Sequence, residues 1–309
     1  MAFLNAIPGA VAQGLIWGIM AIGVYISYKI LDIADLTVDG SICTGACVCA
    51  VLLGLGVPAW ISVLVALLAG AVTGIVTGLL HTKLGIPSIL AGILTQLMLY
   101  SVNLLILSGK SLMAIDPRAN HLLVHMSNNP MSILSLVIIV VATIVVLYLF
   151  FYTQVGLTLK STGDNPDMSR AQGVDVDRNK VIGLAIANGI VAMAGALLAQ
   201  YKGSANINDG RGAIVIGLAA IFIGLSVSMK IKPNFVVSLI GVTCGGIVYY
   251  IVYNFVILMG LKTDYLKMLS AVIVALFLGI PYLKSKYFTK QKDLRPSDLM
   301  KKSGGDGHA

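Results

Sequence analysis

The sequence predicts an all-α, polytopic membrane protein of about eight to nine transmembrane helices with an inverted internal repeat. Three observations carry this. Only 11% of the 309 residues are charged, against roughly 25% in soluble domains, while 58% are hydrophobic. Residues 1–28 and 40–82 contain no Asp, Glu, Lys or Arg at all. Two distant stretches also follow one plan: apolar helix, polar turn, Asp-Gly, then small residues.

Stretches of ~20 apolar residues cross the hydrocarbon as helices, because lipid offers the backbone no hydrogen-bond partner. Taken in order, the predicted spans are 9–28, 38–55, 59–80, 84–108, 131–153, 180–200, 212–229, 233–259 and 266–283. Turn residues separate them, as in Gly54-Leu55-Gly56-Val57-Pro58, Gly85-Ile86-Pro87 and Lys230-Ile231-Lys232-Pro233. The second and seventh spans are short and Gly-rich, which leaves broken or re-entrant helices open. Residues 1–283 read as one transmembrane domain with a polar loop at 154–180, and 284–309 as a basic cytoplasmic tail. The start, Met1 to Pro8, lacks the basic residues of a cleaved signal peptide.

The net charge of +8 does not mark a nucleic-acid binder. Seven basic residues (Lys284, Lys286, Lys290, Lys292, Arg295, Lys301, Lys302) lie in the tail, where they mark the cytoplasmic face and meet anionic membrane lipid. With the tail inside, 15 basic residues fall inside and six outside (Lys110, Arg118, Lys202, Arg211, Lys262, Lys267), and the N-terminus lies outside. All 13 acidic residues are Asp.

The repeat pairs Gly14–Gly40, which ends in Val38-Asp39-Gly40, with Gly183–Gly210, which ends in Asn208-Asp209-Gly210. Five spans separate the two units, so they run in opposite directions, as in transporters whose pathway lies at the repeat interface. Two unrelated Asp-Gly turns remain the alternative, since Asp-Gly is common in turns. Gly70, Gly74 and Gly78, with Gly241, Gly245 and Gly246, suit close helix approach. Cys43, Cys47, Cys49 and Cys244 lie in apolar segments without Cys-x-x-Cys spacing; they read as buried small hydrophobes, with no metal site and no disulfide.

The loop at 154–180 holds four of the 21 basic residues (Lys160, Arg170, Arg178, Lys180) and four of the 13 acidic ones (Asp164, Asp167, Asp175, Asp177). Within it Asn165 suits an N-cap, Pro166 the first helical position, Asp167 the positive helix end, and Gly173 a left-handed closing residue. A helix of two turns is marginal alone, so the segment predicts a partner surface, with an ordinary solvated loop as the bland alternative.

These residues resemble a family. Gly14-Leu15-Ile16-Trp17-Gly18-Ile19-Met20-Ala21-Ile22-Gly23, leading to Leu36-Thr37-Val38-Asp39-Gly40-Ser41, is similar to the permease subunits of bacterial ABC importers of the branched-chain amino acid and ribose type. So is the run from Gly156-Leu157 through Ala171-Gln172-Gly173-Val174-Asp175-Val176-Asp177-Arg178 to Gly195-Ala196-Leu197-Leu198-Ala199-Gln200. After Gly156 the sequence departs from the family pattern, reading Leu157-Thr158-Leu159-Lys160-Ser161. The resemblance implies a subunit without its own ATPase site or cofactor. It would reside in the bacterial plasma (inner) membrane as a homodimer or paired permease, with ATP-binding-cassette ATPase subunits and an extracytoplasmic substrate-binding protein as partners. The ATPase-docking positions it implies are Asn165, Pro166, Asp167, Met168, Arg170, Ala171 and Gly173. The implied cargo is a small polar solute, with branched-chain or aromatic amino acids ahead of sugars or nucleosides.

Among the polar residues in or beside the spans, Asp39, Thr44, Gln96 and Asn188 are the candidates for lining a pathway, with helix capping and helix-to-helix bonding as the alternatives for such groups. Ser108-Gly109-Lys110-Ser111 imitates the end of a phosphate loop, but Leu104 stands where its first glycine is needed. His121 and His125 have zinc-like spacing, but Leu122 replaces the Glu of a peptidase. No catalytic constellation is visible. An ion-gradient-driven secondary transporter is the rival reading; against it, no Asp, Glu or His falls in the middle of a predicted span.

Overall fold

The computed structural model describes residues 2–116, 122–125, 130–228 and 234–258, with isolated positions between 268 and 279. The predicted span 266–283, apart from those positions, and the tail 284–309 lie outside the described residues, as does His121.

Helix α1 (Ala2–Tyr25) runs into a π-helical turn at Ile26–Ile30. An extended connection follows, in which Asp32 has φ +55°. Asp tolerates that left-handed conformation better than most residues because its short side chain can bond locally. Then come α2 (Val38–Gly54), α3 (Ala59–Thr82), α4 (Ser88–Ile106), α5 (Pro130–Phe151), α6 (Gln154–Asp164), α7 (Pro166–Ala171), α8 (Val176–Lys202), α9 (Ala213–Ser228) and α10 (Phe235–Leu258). A short antiparallel ribbon joins β1 (Leu112–Ala114) to β2 (Ser204–Asn206), with Met113 opposite Ala205.

Among the described residues, six helices are long and apolar enough to cross a membrane: Ile7–Ile30, Ala59–Thr82, Ser88–Ile106, Met131–Phe151, Val176–Lys202 and Phe235–Ile257. Helices α2 and α9 are shorter, at 17 and 16 residues. At a rise of about 1.5 Å per residue neither reaches the ~30 Å of a hydrocarbon core.

Helix α8 is the centre. Its second half is buried on every side, from Ala187 to Tyr201. Lipid is as apolar as Leu, so helices inside it are held by close packing. The α3 glycines supply that packing by recurring every fourth residue on one face. A Cβ at Gly70 would strike the Asn188 carbonyl, at Gly74 that of Leu184, and at Gly78 the Val181 backbone. The descending register shows that α3 and α8 run antiparallel. Gly14 and Gly18 bring α1 onto Ile247 and Thr243 of α10, and Gly224 meets Gly241 between α9 and α10. In contrast, α4 and α5 expose Leu90, Leu105, Ile138, Val146 and Leu149, a surface for lipid.

The boundaries differ from the sequence reading in one instructive place. Helix α8 starts at Val176, inside the predicted loop, because Asp175 caps it by accepting the Arg178 amide at 3.0 Å. The loop also contains α6, a helix the sequence reading did not separate from it.

Candidate functional site

Two polar regions stand out, one at the end of the bundle and one inside it. At the end, α7 has the predicted construction. Asn165 Oδ1 accepts the Met168 amide at 3.0 Å, Pro166 occupies the first turn, and Gly173 closes the segment at φ +82°. Asn165, Pro166, Asp167, Met168, Arg170, Ala171 and Gly173 are all exposed. Asp167 shows 94% of its side-chain surface and Met168, an apolar residue, is 60% exposed. Arg170 lies 3.4 Å from Asp177 on α8 and 4.0 Å from Asp167. Both pairs are solvent-facing, so each holds geometry more than it stabilises the fold.

The sequence reading missed the inward anchor. Ser169 is buried; its hydroxyl donates to the Asn165 carbonyl at 2.9 Å and lies 3.4 Å from Ser161 on α6. Helix α6 buries Gly156, Leu159 and Thr162, a three-residue spacing that makes one face. Asn179 of α8 donates to Thr162 at 3.0 Å. Gly163 abuts the Ile30 carbonyl at the end of the π-helical turn, where no side chain would fit. Their signal lay in Leu159 and the small and hydroxyl residues at 156, 162, 163 and 169, which look like ordinary loop composition.

Inside the bundle, Asp35 is 3% exposed. It sits outside every predicted span, yet the extended connection before α2 carries it into the helices. Its Oδ1 accepts the Thr37 amide at 2.9 Å and its Oδ2 accepts Asn188 Nδ2 at 2.6 Å. Asn188, near the midpoint of α8, accepts in turn from Ser41 at 2.6 Å, and Ser41 pairs with Thr73 of α3 at 2.7 Å. Thr37 and Thr77 pair at 2.7 Å beside them. A buried carboxylate survives only when hydrogen-bonded on both oxygens, which this network achieves. The expectation that no acid falls in the middle of a span is not touched by this: Asp35 lies between two helices, in a connection that folds back among them and that span prediction does not see.

Asp39 performs a different task. Its Oδ2 accepts the Gly212 amide at 2.8 Å and its Oδ1 the Ile214 amide at 2.9 Å. A carboxylate in the first turn of α2 thus caps the first turn of α9, where unpaired amides and the helix dipole favour negative charge. Asp209, its counterpart in the other Asp-Gly segment, pairs with Lys202 at 3.1 Å. The two similar segments touch each other: a Cβ at Gly210 would strike the Asp39 carbonyl, and the Gly210 amide donates to Cys43 Sγ at 3.1 Å.

Beside Asp39 opens a chamber of about 460 Å³, within the ~300–1,000 Å³ of small-molecule sites. Its walls include Asp39 and Cys43 from α2, Gln96, Tyr100 and Asn103 from α4, and Arg211 before α9. The structure thus brings Asp39 and Gln96 together in one cavity. Thr44 turns to its own helix, donating to the Gly40 carbonyl at 3.0 Å, and Asn188 belongs to the Asp35 network. Cys43, Cys47 and Cys49 are buried as expected, whereas Cys244 is exposed on the outside of α10. Among the described residues no cluster of His, Cys, Asp or Glu could hold a metal ion.

These features are those of a multi-pass helical membrane protein, and comparison with known proteins gives its family. The family described as "Branched-chain amino acid transport system / permease component" matches residues 7–280. The chain belongs to that family. It is 36% identical over 278 residues to a tyrosine transport system permease protein of Clostridioides difficile, covering 89% of this chain and 91% of the relative. It is 30% identical over 283 residues to an uncharacterized protein of Rickettsia prowazekii, covering 91% and 99%. No solved structure gives a significant match.

Proposed function

We propose that this chain is the membrane-spanning subunit of an ATP-binding-cassette importer for an amino acid, aromatic or branched-chain, with the power stroke supplied by separate ATPase subunits. A binding protein outside the membrane delivers cargo. Two permease copies, or this chain and a second permease, form the pathway in the bacterial plasma membrane. The tail and α7 face the cytoplasm, and eight to nine crossings include an inverted repeat that places α1–α2 against α8–α9.

The observation that carries this reading is α7, a capped rod whose outer residues Asp167, Met168 and Arg170 are exposed while Ser169 ties its inner face to α6. A six-residue helix with an exposed Met at its tip suits insertion into a cleft of a partner. Rigid α6, wedged on Ile30 and bonded to α8, supports transmission of its movement into the membrane helices. The route for cargo passes Asp39 and Gln96, with Thr44 and Asn188 behind its wall. The relative named for tyrosine transport supports an aromatic amino acid as cargo.

The test is Asp167→Ala with Arg170→Ala in the reconstituted complex. The expected result is loss of ATPase co-purification and of ATP-driven uptake; unchanged values for both would remove α7 from the coupling role. The buried Asp35 favours a second reading, an ion-gradient carrier, because an acid inside a membrane bundle is a candidate ion or proton site. Uptake that persists after gradient collapse and stops without ATP selects the importer.

A further inference from the structure

We infer that the chamber between α2, α4 and the connection into α9 is a binding site for a zwitterionic α-amino acid, with Asn103 and Arg211 as its recognition residues. This rests on the amino-acid importer reading and adds the location and chemistry of a cargo site.

The first observation is Asn103. It is 1% exposed, on the third turn-face of α4 that also carries Gln96 and Leu99 toward α2. Its Oδ1 is buried without a hydrogen-bond partner among the described residues, although it stands in the chamber wall. A buried amide oxygen left unpaired is costly, and nearly all such atoms in folded proteins have a partner. An oxygen acceptor calls for a donor, and an ammonium group supplies three.

The second observation is Arg211. The residue lines the same chamber and makes no ion pair among the described residues, while Lys202 takes the nearby Asp209. A planar guanidinium matches a carboxylate through two parallel hydrogen bonds. Asp39 places negative charge in the same wall while its two oxygens hold the α9 amides. One chamber therefore holds an acceptor and an anion for an ammonium group, and a fork for a carboxylate. Gln96 offers both donor and acceptor. Leu97, Tyr100 and Ile207 give apolar and aromatic surface for the side chain, which suits the large apolar members of the class.

A sugar or nucleoside would leave the guanidinium without an anion, and a simple cation would leave it repelling its ligand. The zwitterion satisfies both ends. Since Asp39 also fixes the start of α9, an occupant of the chamber lies beside a carboxylate that joins α2 to α9.

The experiment uses the whole assembly of permease, ATPase and binding protein in proteoliposomes, with tritiated L-tyrosine and L-leucine as probes. Asn103→Leu and Arg211→Gln are each expected to lower ATP-driven uptake of both probes by about tenfold, the scale of one lost charge-assisted hydrogen bond. Asn103→Asp and Arg211→Lys, which keep the acceptor and the cation, retain most of the rate. Leu105→Ala, on the outer face of α4, leaves it unchanged. Wild-type uptake in both Asn103→Leu and Arg211→Gln, with ATPase still bound, overturns the site and shows that water alone satisfies Asn103. Arg211 is exposed, so its variants fold and decide the matter even where Asn103→Leu does not assemble. If wild-type protein neither holds ATPase nor takes up either probe with ATP, the importer reading has failed instead. Equilibrium dialysis of tritiated L-tyrosine against the purified permease then tests the chamber directly: binding weakened about tenfold in Arg211→Gln supports it, and absence of wild-type binding overturns it.

Discussion

Replacing Asn188 by Leu, alone and together with Asp35→Asn, tests whether the buried network is built around an ionised carboxylate. Asn188 donates to Asp35 at 2.6 Å and accepts from Ser41 at 2.6 Å, and both partners are buried. A hydrogen bond to a charged group contributes about 1.5–3 kcal/mol and a neutral one about 1 kcal/mol. Measured bonds between membrane helices are weaker, averaging about 0.6 and reaching about 1.7 kcal/mol, because the unfolded chain in lipid also finds partners. An ionised Asp35 would differ from those cases in carrying a charge, with Thr37 as its other partner, through an amide at 2.9 Å. Asn188→Leu should therefore cost about 3 kcal/mol, most of it from the bond to a charged Asp35, with the neutral bonds to Ser41 and the Leu184 carbonyl adding less. In an Asp35→Asn background the same change should cost only about 1–1.5 kcal/mol, since a neutral amide is cheaper to strand. The double-mutant cycle thus yields a coupling energy near 1.5–2 kcal/mol, well above the ~0.5 kcal/mol of independent sites. Reversible unfolding in mixed detergent micelles, followed by Trp fluorescence, reads all four variants. A coupling energy under ~0.5 kcal/mol would refute the reasoning, because Asn188 would then not be the partner that keeps Asp35 charged.

Gly74→Ala should destabilise by roughly 3 kcal/mol or more, the top of the overpacking range, since its Cβ overlaps the Leu184 carbonyl rather than a movable side chain; the same micelle titration checks it. Asp39→Ala should cost about 2–4 kcal/mol by leaving the Gly212 and Ile214 amides without their acceptor, and Asp39→Asn about half of that, because one carbonyl oxygen remains to accept. Hydrogen exchange at the first turn of α9 should rise in the same order. Asn165→Ala removes the cap of α7 at a cost of about 1 kcal/mol, so limited proteolysis within 165–173 should speed up about fivefold while cleavage elsewhere stays constant.

The polar loop was legible because its signals are local. A cap, a proline at the first position and a closing glycine act within ten residues, so Asn165, Pro166 and Gly173 could be read without knowledge of the rest. Hydropathy located the long helices for the same reason, since a span needs only its own residues to be apolar. What escaped was long-range. Asp35 lies beyond the end of one span and before the next, and nothing in its neighbours says that the chain turns inward there. Asp39 was equally balanced between capping and cargo; its partners, Gly212 and Ile214, are more than 170 residues away. The glycines at 70, 74 and 78 gave a spacing but not a partner, which the Asn188, Leu184 and Val181 backbone supplies. Asn103 looked like any helix-bonding amide and became informative only when it proved to line a cavity with its buried oxygen unpartnered among the described residues.

The two interior carboxylates sit on one short segment, and their different burdens follow from what surrounds them. Asp35 meets side chains of α3 and α8 through Asn188, Ser41 and Thr73, so it ties the start of α2 to the most tightly packed pair in the bundle. Asp39, one helical turn further on, accepts the Gly212 and Ile214 amides at the start of α9 and borders open space. The immobile contact lies on one side of the α2 N-terminus and the chamber on the other. The π-helical turn that precedes both residues carries Ile30 against Gly163 and Leu31 against Gly183, where α6 and α8 converge. A shift of α6 therefore reaches Ile30 through backbone-to-backbone contact, with no flexible side chain to absorb it. From there the route to Asp35 is five residues of chain, and to the chamber one more turn. Contiguity of this kind is not coupling until the two ends respond to each other. The stretch from Gly163 through Leu31 to Asp39 is where such a response should be sought, by pairing a substitution at α7 with one at the chamber in a double-mutant cycle.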